Sequence, residues 1–461
     1  MFFEQIKTPG LGCYSYLIGC PLAGVMAVVD PKRDIADYLR IAEETGMRIT
    51  HIFDTHVHAD HISGAQELRE ATGASICIHE SAPVDYGPEK LKGGEEFKFG
   101  YALLRVLHTP GHTPNSISIL VTDLNRSPEP QMILTGDLLF VGDIGRPDLP
   151  GAEILDEQIQ NLYDGLYKTL GKLPDYLEVF PAHGEGSLCG SGMSAKPSTT
   201  LGYERLANPM LRFPDYAAFK QAILSNLPMR PQSFSHIIPA NMKHVPTVPK
   251  CDALGHALSA EQAEALIKSG AQVLDLRDAL SYASAHIPGS ISVDFSDGPK
   301  LNWLGVAVPA QVPYVLVLPC GTAFEDVRLE LQRIGYDTVS GWLKGGISAW
   351  INSGRDTQSL AYLSAPELRA RLGGANPPAL IDVRTPREFK DKRIEGAQSL
   401  TFDRILEKGA CPLSPATDAV IVCRSGFRAG IVASLLKARG CANICVLTGG
   451  MNAWQYDTVS G

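Results

Sequence analysis

The chain has no Cys-x-x-Cys pair, no long apolar run and no surplus of positive charge, and each lack closes off a class of answer. Its ten cysteines stand at 13, 20, 77, 189, 251, 320, 411, 423, 441 and 445. None is spaced as a zinc ribbon or a thioredoxin-type pair. Scattered thiols of this kind fit a reducing, cytoplasmic setting and serve mostly as small buried filler. No apolar stretch approaches the roughly 20 residues that a membrane span needs, so no membrane partner is expected. The opening MFFEQIKTPGLG lacks a basic segment followed by an apolar run, and no signal peptide is read there. A formal net charge of -9 argues against a nucleic-acid partner, because a phosphate backbone asks for a basic face.

What remains is a folded chain of 461 residues, 44% hydrophobic and 20% charged. That length predicts about two to four domains. Its second half repeats itself. LDLRDALSYASAHIPGS (274–290) matches IDVRTPREFKDKRIEGA (381–397), VLVLPCGTAFED (315–326) matches AVIVCRSGFRAG (419–430), and LKGGISAW (343–350) matches LTGGMNAW (447–454). A period near 100 residues is too long for a solenoid and means two copies of one small domain. In each copy helices alternate with buried apolar strands, which predicts α/β units with parallel sheets. HVPTVPK (244–250) reads as a linker. The expected domains are 1–249, 250–356 and 357–461.

The first 249 residues pattern differently. Strand-like runs end in polar clusters: ITHIFD before THVHADH, LLRVLHTP before GHT, QMILT before GD, YLEVFPA before HG. Strand ends that deliver ligands suggest one site at one sheet edge. The candidates are His56, His58, Asp60, His61, His112, Asp137 and His183. His51, His79, His108, His236, His244, His256 and His286 stand outside these clusters and are read as core or capping residues.

THVHADH, GHT, GD and AHG, in this order, resemble the metallo-β-lactamase superfamily over roughly residues 1–245. The resemblance implies an αβ/βα sandwich with metal at its edge. It also implies two possible uses of the ligands. Hydrolases of glyoxalase II type hold two zinc ions: one by His56, His58 and His112, one by Asp60, His61 and His183, with Asp137 bridging. The pair activates a bridging water. Persulfide dioxygenases hold one Fe(II) per chain, here through His56, His112 and Asp137, and leave positions open for substrate and O₂. His58, Asp60, His61 and His183 then surround the metal or hold a second one. VGDIGRPDLPG (141–151) resembles the dioxygenase segment in which an arginine and an acidic residue help hold a thiol carrier, so Arg146 and Asp148 are expected at substrate. AHGEGSLCGSG (182–192) is dioxygenase-like as well and offers Cys189 to the pocket.

The repeated unit resembles the rhodanese family. In CRSGFRAG (423–430), Cys423 leaves a strand and meets a helix start, where backbone N–H groups favour an anion. Arg424 and Arg428 add positive charge, and Ser425, Gly426 and Phe427 complete the loop. A thiolate is expected there, attacking sulfane sulfur and passing it on as a persulfide. A phosphatase loop has Cys-x5-Arg; here the spacing is Cys-x4-Arg, which suits the smaller sulfur centre. The first copy reads CGTAFEDV, with Gly321 and Glu325 in place of the two arginines and Ala323 in place of Gly426. Acidic groups there disfavour a thiolate, so Cys320 is expected to be non-catalytic. Asp275 with Arg277 and Asp382 with Arg384 are read as structural ion pairs.

The whole resembles the persulfide dioxygenase–rhodanese fusions of bacterial sulfide detoxification. That implies oxidation of a thiol persulfide (glutathione, coenzyme A or bacillithiol type) by O₂ to sulfite and thiol, coupled through Cys423 to thiosulfate and sulfite. The alternatives are a two-zinc thioester hydrolase with sulfurtransferase domains and a sulfur-carrier module with a structural metal. Homo-oligomerisation is left open.

Overall fold

The structure is a computed structural model and describes residues 1–190, 192–225, 227, 230–245, 247–248, 256–296, 298–406 and 413–460. The expected linker falls partly outside that set, at 246, 249 and 250, and so does the expected boundary at 249/250. Cys251 and Cys411 lie outside it too. The chain divides into two compact units, one of residues 1–250 with 329–335 and one of 251–328 with 336–461. Among the described residues, no helix is long and apolar enough to cross a membrane.

The first unit carries two six-stranded sheets. Period-two alternation explains how they stack. In Cys13–Cys20 every residue is buried, because both faces of the strand are covered. Tyr16 and Ile18 point into an inner core with Phe53, Leu104, Ile119 and Phe180. Leu17 points the other way, to Tyr38 and Leu68 on the helices Ala36–Thr45 and Ala65–Thr72. The second sheet repeats the device: Ile119 and Val121 face inward, while Leu120 packs with Ile159 and Leu162 of the helix Leu155–Tyr163. Helix, sheet, sheet, helix is the αβ/βα sandwich expected from the sequence.

Topology then puts the polar clusters on one edge. Ala102–His108 pairs antiparallel with Ile117–Asp123, and that strand antiparallel with Met132–Gly136, which is parallel to Glu178–Pro181. The strands Ala102–His108, Met132–Gly136 and Glu178–Pro181 therefore run the same way. Their C-terminal ends release the segments bearing His112, Asp137 and His183.

The second unit holds two five-stranded sheets built alike from parallel pairs. The helices after the first strand of each copy open with the same capping box, Ser259 with Gln262 and Ser364 with Glu367. The expected ion pairs are present. Arg277 grips Asp275 through Nε and Nη2 at 2.8 and 2.5 Å, and Arg384 grips Asp382 at 2.9 and 2.7 Å. Each guanidinium also donates to a backbone carbonyl eight residues on, Ala285 or Lys392, and so ties a strand end to the following helix. Seven described cysteines are free thiols; Cys441 is disulfide-bonded.

Gly111, just before His112, lies at φ 143°, and a Cβ there would sit 2.5 Å from Leu162 Cα. Gly111→Ala is therefore expected to cost about 1–3 kcal/mol by forcing the ligand loop off the helix. A urea titration of the full chain measures this as a lower unfolding midpoint.

Candidate metal centre and sulfur-transfer loop

The metal candidates start from a turn without regular structure. The strand Arg48–Phe53 ends, and residues 55–61 run buried beneath the sheet edge. Asp30, at the end of Val25–Val29, fixes the first step of this turn. Its carboxylate accepts from Thr55 N at 2.7 Å, from Thr55 Oγ1 at 2.9 Å and from His58 Nε2 at 3.0 Å. Asp30 has φ 49°, the only positive φ among described non-glycine residues. Strain of that kind gathers at functional sites.

His56, His112 and Asp137 converge, with one ligand atom of each within 4.8 Å of the others. All three are 1% exposed or less. Their outer atoms are spoken for. His56 Nδ1 lies 3.0 Å from Thr55 Oγ1, His112 Nδ1 donates to Arg146 O at 2.8 Å, and Asp137 Oδ1 accepts from His183 Nδ1 at 2.6 Å. The inner atoms, His56 Nε2, His112 Nε2 and Asp137 Oδ2, have no hydrogen-bond partner. Buried polar atoms left without partners are costly, and three that face one another suit a cation. Burial pushes both histidines below their ordinary range, which keeps them neutral, as a ligand must be. Burial alone would raise Asp137, but His183 and His112 override it and hold the carboxylate ionised.

The other four candidates are arranged differently. His58 does not join the triad; it groups with Asp60 and His61, and separately with Asp30 and Asp54. Asp60 Oδ2 accepts from His183 Nε2 and from Cys13 Sγ, each at 2.9 Å, and His61 Nδ1 lies 3.2 Å from Asp60. Burial opposes a charge on His61 and His183, yet the carboxylates facing them lift both well above the ordinary range. The second set is thus largely paired within itself, although His58 Nδ1 and His61 Nε2 are without hydrogen-bond partners.

Arg146 is buried, and its fork is taken. Nε and Nη2 each donate to Asp148 at 2.7 Å, and Nη1 to Leu188 O at 3.3 Å. A carrier carboxylate expected on Arg146 would have to displace Asp148. Cys189 is buried and groups with Asp137 and His183, and burial pushes its thiol well up.

In the second unit, Cys423 is buried at the end of Ala419–Val422, and its Sγ accepts from Gly426 N at 3.1 Å and Ala429 N at 3.4 Å. Gly426, at φ 96°, turns the chain into the helix Phe427–Ala438. Arg424 and Ser425 are exposed. Arg428, expected to add positive charge to the loop, feels Cys423 electrostatically and is also held by an acid. Its Nη1 and Nη2 donate bidentately to Glu388 at 2.9 and 2.7 Å, and its guanidinium lies 5.6 Å from the Trp303 ring centroid. In the first copy Cys320 is exposed, and Glu325 pairs with Arg328 at 3.0 Å.

Sequence reasoning missed Asp30, Asp54, Cys13 and Asn241. The two aspartates close strands just as the recognised ligands follow theirs, which was a usable signal. Cys13 and Asn241 carry none.

Known proteins resemble the chain in separate parts. The family model described as metallo-beta-lactamase superfamily matches residues 9–183, and that of the rhodanese-like domain matches 259–353 and 364–457. A bovine (Bos taurus) protein named mitochondrial persulfide dioxygenase ETHE1 is 27% identical over 244 residues, 53% of this chain and 88% of its own length. A hydroxyacylglutathione hydrolase of Rhodospirillum rubrum is 33% identical over 176 residues, 37% of this chain and 61% of its own. The crystal structure of a metallo-beta-lactamase from Staphylococcus aureus superposes with a TM-score of 0.67 at 31% identity, covering 74% of this chain and 98% of that one.

The Glu388–Arg428 pair makes the second unit pH-sensitive. Burial would raise Glu388, but Arg428 overrides it and lowers the carboxyl from 4.5 to about 2. A depressed folded-state value contributes stability at neutral pH that is lost as pH falls from 4.5 through about 2. Urea midpoints taken down that range are expected to drop in the parent and to drop less in Glu388→Gln.

Proposed function

Since the chain belongs to the metallo-beta-lactamase superfamily and carries two rhodanese-like domains behind that fold, we propose that it oxidises a thiol persulfide and passes sulfur onward through Cys423. One observation carries the first half. The unpartnered atoms of His56, His112 and Asp137 face one another, while Asp60 and His183 are paired together and His58 stands outside the triad. Two histidines and one carboxylate with positions to spare are a donor set for iron(II). The persulfide dioxygenase relative aligns over a greater share of its length than the hydrolase relative, in the same sense.

When bound, iron(II) would supply the redox chemistry that joins O₂ to sulfur. The balance is RSSH + O₂ + H₂O → RSH + H₂SO₃. The chain's own part is to hold ligands and exclude water. Arg146 O orients the His112 ring, Thr55 the His56 ring, and His183 orients Asp137. In the second half, Cys423 Sγ takes the outer sulfur of a persulfide, releasing thiol, and gives it to sulfite as thiosulfate; the same steps run in reverse from thiosulfate. The amides of Gly426 and Ala429 stabilise the sulfur anion at each exchange.

His58 Nδ1 and His61 Nε2, both without hydrogen-bond partners, favour a second reading: a two-zinc thioester hydrolase. Metal analysis separates the two. We expect about one iron per chain, lost in Asp137→Ala and kept in His61→Ala; about two zinc would support the hydrolase.

Oxygen uptake on adding glutathione or coenzyme A persulfide to the iron-loaded chain is the direct test, and no uptake removes the dioxygenase reading. Cys423→Ser is expected to abolish thiosulfate sulfurtransfer and spare O₂ uptake. Cys320→Ser leaves both intact.

A further inference from the structure

Beside the triad lies a cavity of about 370 Å³, with Val57, Ala59 and Thr113 in one wall and Phe234, Ile238 and Met242 in another. That size falls at the small end of small-molecule sites. The first wall alternates with metal candidates: Val57 sits between His56 and His58, Ala59 between His58 and Asp60, and Thr113 follows His112. The second wall is the helix Phe234–Asn241 and the residue after it. Ile238 packs against the cluster of Val57, Ile78 and Ala82, and Phe234 shares a cluster with Ala59 and Leu149.

The same helix ends in Asn241, whose side chain is used entirely on the ligand run. Its Nδ2 donates to His58 O at 2.9 Å and to His61 O at 2.8 Å, and its Oδ1 accepts from Ser63 N at 3.0 Å. Residues 58–62 belong to no helix or strand, and Ser63 makes only an isolated bridge to Lys32, so most of their backbone groups need partners from elsewhere. One amide supplies three. Ser63 Oγ in turn donates to Asp54 at 2.9 Å, beneath His58.

We propose that Asn241 is a positioning residue that couples the cavity to the metal centre: whatever displaces its helix from the cavity side moves the backbone of His58 and His61. The helix touches the ligand run at both ends of this lever, through Ile238 and Phe234 on side chains and through Asn241 on carbonyls. The lever rests on a metal held along this run: with one metal the displacement reaches it through His56, two residues before His58, and with two it acts on His58 and His61 as well.

The test is a double-substitution cycle read by Co(II) binding to the full chain. Asn241→Ala is expected to weaken Co(II) about 10–100-fold, the usual effect of removing a group that orients ligands, and to change the visible d–d spectrum of the bound ion. Ile238→Trp, which fills the cavity, is expected to weaken Co(II) several-fold on its own and to add nothing in the Asn241→Ala background. Additive effects overturn the coupling. A lowered unfolding temperature with unchanged Co(II) affinity and spectrum reduces Asn241 to a structural residue and overturns the proposal. Asn241→Asp keeps the acceptor for Ser63 and turns away only the two donors, so it carries the same test should the alanine variant fail to fold.

Discussion

A buried carboxylate at the end of Val25–Val29 decides where the ligand turn can go. Asp30 is 4% exposed and accepts three hydrogen bonds from Thr55 and His58. A carboxyl group buried so deeply is tolerable only when its oxygens are fully partnered. The partners must come to it, so the chain leaving Arg48–Phe53 has to fold back over a neighbouring strand end. That parallel pairing, Val29 opposite Phe53, sets the distance. Once Thr55 is pinned, the His56 and His58 rings lie side by side, 4.3 Å between centroids, yet group with different partners: His56 with His112 and Asp137, His58 with Asp30 and Asp54. The separation of the two donor sets follows from one acid group beneath them.

Much of this was legible in the sequence because the ligands cluster at strand ends. Period-two burial, capping boxes and the duplicated DxR and GG landmarks also survive translation into structure. Two arginines show what is lost. Arg146 and Arg428 count as positive charge in any linear reading, yet each is bound bidentately to a carboxylate, Asp148 two residues away and Glu388 forty away. A sequence lists charges; it does not say which are already neutralised. Asn241 was invisible for another reason. It acts on backbone atoms some 180 residues distant, and such contacts leave no local pattern.

The two rhodanese-like copies separate scaffold from chemistry. Both keep the strand-end aspartate with its arginine, because that pair closes a strand–helix junction in either copy. Six residues past the aspartate stands Glu388 in one and Ser281 in the other, and the arginine that Glu388 holds is replaced by Glu325. One copy has both donor and acceptor and the other has neither, its Glu325 pairing instead with Arg328, so neither strands a charge in its interior. Breaking one side alone would have been costly. The first copy thus lacks this ion pair and has the same fold.

With Arg428 committed to Glu388, the sulfur-transfer loop presents its charge in two tiers. The inner tier is backbone: the amides on Cys423 are buried and unscreened. The outer tier is Arg424, exposed at the mouth. Mobile ions reach the second and not the first, over a Debye length of roughly 8 Å in physiological salt. For the sulfur transfer proposed above, ionic strength would act on how fast anionic donors arrive and leave the hold on the seated sulfur unchanged.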